Sequence, residues 1–200
     1  MLRKLVAVVA LGLIPISASA VAHAEPVSSQ TLIDERGDIW RIPGEGRPVA
    51  APHQHRGDIR RTIIRHGKHA VTVRAKFGEL TRNPQGHVLV VGLRTNTGVL
   101  RAVSLIAGQY VQRSGWRGIV TVERRDGRPV KCTTAHRINY TTNVMGLRVP
   151  RSCINTPRSV QAKAFYIGMH GKGGQASEFF DNAHNPGSRM NGWTRRLSHP

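Results

Sequence analysis

Apolar and polar residues alternate along much of this chain with a period of two. AVTVRAKF, residues 70–77, is the clearest case: Val71, Val73, Ala75 and Phe77 point one way, and Thr72, Arg74 and Lys76 the other. That is the signature of a strand with one buried and one wet face. HVLVVGLRT (87–95) follows the turn signal Asn83-Pro84-Gln85-Gly86, and its run Val88-Leu89-Val90-Val91 is apolar on both faces, which predicts a central strand. Further strands are predicted over 59–66, 98–110, 119–122, 143–149 and 160–167. Asp126-Gly127 predicts a hairpin turn, because both positions must tolerate positive φ, with a return strand over 130–134 that carries Cys132. Gly146 is read as a bulge and Pro150 as a strand end. Helical periodicity is almost absent. Short strands separated by Gly and Pro turns predict an all-β fold, an antiparallel β-sandwich of the jelly-roll kind, as one domain over residues 25–200. Residues 168–200 are rich in Gly, Asn, Ser and His. They predict a long loop and a final docked strand, anchored by Phe179, Phe180 and Trp193.

The first 24 residues read differently. Arg3 and Lys4 precede an apolar run from Leu5 to Ile16, and Ala22-His23-Ala24 has the small-x-small form of a cleavage site. The run is shorter than the ~20 residues of a membrane span. The first cysteine is Cys132, so none stands near the cleavage site to take a lipid. The expectation is a signal peptide over residues 1–24 and a secreted, extracellular protein. Cys132 and Cys153 are then expected to form a disulfide, as an isolated pair usually does outside the cell.

Charge narrows the choice of partners. The chain carries a formal +19, which falls to +17 once Arg3 and Lys4 are removed. The cations are spread out rather than packed into one run, which argues against a dedicated nucleic-acid arm. Arg60, Arg61, Arg65, Arg74 and Lys76 are expected on exposed strand faces, where they could attract wall polymers, acidic polysaccharide or nucleic acid.

The tetrapeptide RGDI occurs twice, at 36–39 and 56–59, in a chain with eleven acids. The first copy lies in Asp34-Glu35-Arg36-Gly37-Asp38, two carboxylates four residues apart across a glycine. The second opens a strand, where Asp58 is read as a turn cap. Asp34-x-x-Gly-Asp38, a Pro-containing loop with Pro43, Pro48 and Pro52, then Gly57-Asp58-Ile59 and AVTVRAKFGEL resemble the start of DOMON-like β-sandwiches. That group includes family 9 carbohydrate-binding modules. Val149-Pro150-Arg151-Ser152-Cys153-Ile154 and Trp193-Thr194 are similar to segments of small secreted actinobacterial proteins of unassigned function. The resemblance spans residues 32–195. It implies a structural calcium on Asp34 and Asp38, although Arg36 and Arg41 flank that loop and would oppose a cation. It also implies glycan binding on exposed aromatics, for which Trp40, Trp116 and Trp193 are the candidates.

Other chemistry is thin. No His-Glu-x-x-His helix, Gly-x-Ser-x-Gly elbow or paired glutamates occur, so no catalytic residue is assigned. Asp181 and His184 are the best remaining acid–imidazole pair. His53-x-His55 and His66-x-x-His69 are a secondary metal candidate. The expected function is a binding or interaction module at the cell surface or in the medium, with cell-wall glycan as the partner class and electrostatic capture of polyanions as the alternative.

Overall fold

The computed structural model describes residues 28–44, 46–82, 85–108, 115–170, 177–184 and 192–199. The expected signal peptide lies outside these. Thirteen strands are described: β1 (Ser28–Ile33), β2 (Trp40–Pro43), β3 (Val49–Ala50), β4 (Ile59–His66), β5 (Ala70–Phe77), β6 (His87–Thr95), β7 (Leu100–Ala107), β8 (Ile119–Arg124), β9 (Ala135–Asn139), β10 (Val144–Pro150), β11 (Ser159–His170), β12 (Ser177–Asn182) and β13 (Leu197–Ser198). Among the described residues there is no α-helix, and no helix is long and apolar enough to cross a membrane.

The strands form two antiparallel sheets, as the alternation predicts. One has five strands in the order β1-β4-β5-β10-β9. The other runs β3-β2-β12-β11-β6-β7-β8, with β13 also paired to β11. The inward positions of both sheets supply one core. Val71, Val73, Ala75 and Phe77 meet Leu89, Val91, Leu93, Val103 and Leu105 there, and every one of these is essentially sealed from solvent. Non-local pairing holds this fold, since sequence neighbours alone cannot bury a sheet face.

Two details differ from expectation. The segment after the Asp126-Gly127 turn does not continue as a full return strand. It makes one bridge, Glu123 to Pro129, and then crosses to the other sheet, where β9 pairs with β10. The crossing is held by the Cys132–Cys153 disulfide. Gly146 is not a bulge. It sits in regular register between Arg74 and Arg137, with alternation unbroken on either side. The irregularity lies in β4, where the register shifts between Ile59 and Arg61 and leaves Arg60 as the extra residue.

Candidate metal centre

The crossover from β1 to β2 carries the first RGDI copy from one sheet to the other. Gly37 makes its bend at φ +75°, with the Pro52 carbonyl 2.7 Å from where a Cβ would stand. The second copy lies just before β4. Gly57 there has φ +83°, and a Cβ would fall inside the Tyr166 ring, 1.9 Å from its nearest atom. A side chain fits neither position, so both glycines are required by close approach as well as by backbone conformation.

The two copies touch. The Gly37 N–H donates to Asp58 Oδ2 at 3.0 Å. The same oxygen accepts from Arg60 Nη2 at 2.8 Å, because the β4 bulge turns that guanidinium toward the loop. Asp181 arrives from β12, paired opposite Tyr166 and fully buried. Its Oδ2 accepts the Ile59 N–H at 2.5 Å, and its Oδ1 accepts the Asn182 N–H at 2.7 Å. Segments 34–38, 56–59 and 177–182 thus converge, each fixed by a backbone bond to one of the aspartates.

Asp34, Asp38 and Asp181 each offer an oxygen, and these atoms lie within 4.8 Å of one another. Asp34 Oδ2, both oxygens of Asp38 and Asp58 Oδ1 are shielded from solvent and accept no hydrogen bond among the described residues. Arg60 is the one cation ion-paired to any of the four aspartates among the described residues. Burial first, then the Asp181 and Asp38 charges, push the Asp34 carboxyl up to about 9. Asp181 is pushed up to about 7, again by burial and then by Asp38. Asp38 and Asp58 are raised by burial, with Asp58 held back by the Gly37 N–H and Arg60. Four carboxylates drawn together out of water against one guanidinium is a costly arrangement unless protons or a cation neutralise it.

The donor set fits a hard cation. Carboxylate oxygens without nitrogen or sulfur partners suit calcium or magnesium rather than zinc or copper. Arg36 and Arg41, which flank the loop in sequence, are both exposed. Asp34 and Asp38 were legible as ligand candidates. Asp181 stood out only beside His184, and His184 is exposed while Asp181 faces inward. Asp58 is not the turn cap that its place before β4 suggests; its side chain accepts from Gly37 of the other RGDI copy.

The other site candidates are dispersed. Trp40 lies half-buried in β2, opposite Phe180. Trp116 packs edge-on against Tyr140, whose hydroxyl donates to the Trp116 carbonyl. Trp193 lies over Gly92, with Arg94 and Lys163 against its ring. The three tryptophans therefore belong to separate neighbourhoods. His53, His55 and His69 are exposed, while His66 is buried, with Nδ1 2.9 Å from the Leu197 carbonyl. Arg61, Arg65, Arg74 and Lys76 are exposed on the outer face of the five-stranded sheet; Arg60 is not among them.

No family model, curated protein or solved structure matches this chain.

Proposed function

We propose that this protein is an extracellular binding module, a DOMON-like β-sandwich whose sheet-to-sheet crossover is locked by a calcium ion on Asp34, Asp38 and Asp181. The observation that carries the cation is the set of solvent-shielded oxygens on Asp34 and Asp38 that accept no hydrogen bond, grouped within 4.8 Å with an oxygen of the buried Asp181. Calcium is favoured over magnesium because it accepts irregular oxygen sets of six to eight, which backbone carbonyls and water can complete around three carboxylates. The Cys132–Cys153 disulfide supports an oxidising compartment.

Isothermal titration of the purified protein with calcium and with magnesium tests the reading. One calcium site, weakened when Asp181 is replaced by Asn, is the expected result. Absence of calcium binding at any pH from 6 to 8 refutes it.

A further inference from the structure

The outer face of the five-stranded sheet is a separate feature. Its register fixes a grid of fifteen outward positions. One row runs Ile33, Arg61, Lys76, Val144, Asn139; the next Thr31, Ile63, Arg74, Gly146, Arg137; the third Ser29, Arg65, Thr72, Arg148, Ala135. Six of these fifteen are Arg or Lys and none is Asp or Glu, so the face carries charge of one sign. Among the described residues none of the six pairs with a carboxylate; the ion pairs are Arg56–Glu79, Arg60–Asp58 and Arg128–Asp126, all off this face.

The outer face of the other sheet is unlike it. There a row of register partners runs Trp40, Phe180, Ile167, Val88, Ile106, Ile119 and is wholly apolar. Neighbouring rows of that face carry Arg94, Lys163 and Glu123, so what sets the five-stranded sheet apart is a run of six cations with no acid among them.

We propose that this grid binds an acidic polysaccharide. Charge complementarity supplies the first argument: regularly spaced cations without competing anions fit a polymer with regularly spaced anions. Strands lie about 4.8 Å apart, which sets Arg74 and Arg137 about 10 Å from each other across Gly146. Shape supplies the second. Gly146 leaves the floor open between them, in a groove of about 570 Å³ lined also by Arg148, Asn139 and Thr142. A Cβ at Gly146 would meet only backbone oxygens, at 3.8 and 3.9 Å. The neutral members of the grid supply the third. Ser29, Thr31, Thr72 and Asn139 offer hydroxyl and amide groups between the cations, matching a ligand with hydroxyls between its anions. No aromatic occupies any of the fifteen positions, so nucleic-acid bases have nothing to stack on. Arginine forks, five of the six cations, hold carboxylate or sulfate in two bonds where lysine makes a point contact. The inference stands apart from the cation centre, since it uses none of the four aspartates.

The test is a binding titration of the folded protein with polygalacturonate, with neutral dextran and with single-stranded DNA, each at low and high salt. Polygalacturonate is expected to bind, to weaken steeply with salt, and to outbind both other polymers. The double change Arg74→Gln with Arg137→Gln is expected to weaken it by about tenfold or more. Gly146→Glu, which plants a carboxylate in open space in the middle row, is expected to do the same. Arg94→Gln, on the other sheet, is expected to leave binding unchanged. Binding that survives both grid variants, or that dextran reproduces, overturns the proposal. So does DNA binding that is tighter than polygalacturonate and equally sensitive to the grid variants, which would make the face a nucleic-acid surface.

Discussion

Replacing Asp34 with Asn should stabilise the calcium-free protein and reduce the gain that calcium gives. In the metal-free protein the Asp34 carboxyl sits at about 9, raised by burial and by Asp181 and Asp38. In the unfolded chain it titrates near 4. Between those values the native state holds a proton that the unfolded state has released. Stability of the metal-free protein therefore falls as pH rises through that window. At pH 7 about three pH units of it have been crossed, at ~1.4 kcal/mol each, so the loss from this residue is at most about 4 kcal/mol. Asn is nearly isosteric and cannot ionise, so it escapes that loss. For a domain of this size each kcal/mol shifts the melting temperature by about 2–4 °C. In chelator the variant should thus melt a few degrees or more above the parent at pH 7 and together with it near pH 4.

Calcium works against that order. A ligand present at a hundredfold over its dissociation constant stabilises the native state by about 2.7 kcal/mol. The parent has the full carboxylate set and receives that gain; the variant has lost one charge from the set and receives less. The assay is a pair of melting series from pH 4 to 8, in chelator and in saturating calcium. An Asp34→Asn protein that melts below the parent in chelator at pH 7 would refute the electrostatic argument. A variant that calcium stabilises as much as the parent would remove Asp34 from the ligand set.

Three further outcomes are expected. Cys132→Ala should cost about 3 kcal/mol under oxidising conditions, from a closed loop of about twenty residues, and nothing under reduction; a variant that melts with the parent under oxidising conditions would refute it. Gly57→Ala should destabilise by at least about 3 kcal/mol in denaturant titration, because its Cβ would overlap the Tyr166 ring at positive φ. His66 is held neutral by burial, which lowers its pKa, so it contributes stability above pH ~6.5 that is lost as pH falls; His66→Gln should flatten that acid limb of the melting profile.

How much of this was legible in the chain depends on where the deciding interaction lies. β5 and β6 could be read directly, because their own side chains alternate and one strand's pattern is enough to say which face is buried. β12, SEFFDN, could not. It sits in a Gly- and Asn-rich tail and turns a carboxylate, Asp181, toward the interior, against every patterning rule. Only its pairing with β11 and β2 makes it a strand. β9, AHRIN, failed for a related reason: it is a polar edge strand, and the hairpin signal before it pointed to the wrong sheet. Gly146 misled because a glycine inside a strand usually marks a bulge; here it is the gap in a cationic row, visible only once β5 and β9 are laid on either side.

The repeated RGDI shows the same limit at the candidate site. Each copy read alone is a turn or a strand entrance, and the residue identities do not say that they meet. Their contact, Gly37 to Asp58, joins positions 21 apart, and the carboxylate that completes the cluster comes from 122 residues beyond Ile59. A buried acid cluster leaves little periodic trace, since it opposes the hydrophobic pattern that makes strands readable. What betrays it is cost. Four acids drawn from a chain with only eleven, sealed together against one arginine, are stable in that state only with protons or a cation among them. The choice between proton and cation follows from pH. Protons suffice for Asp34 up to about 9, but Asp181 releases its own near 7, so the metal-free centre gains a second reason to weaken just where a neutral medium would hold it. Calcium affinity should therefore rise with pH across 6 to 8, as protons leave the ligands they compete for, and more steeply below about 7, where Asp34 and Asp181 both hold protons, than above it. A rise whose slope does not change through about 7 would mean that Asp181 is not a ligand.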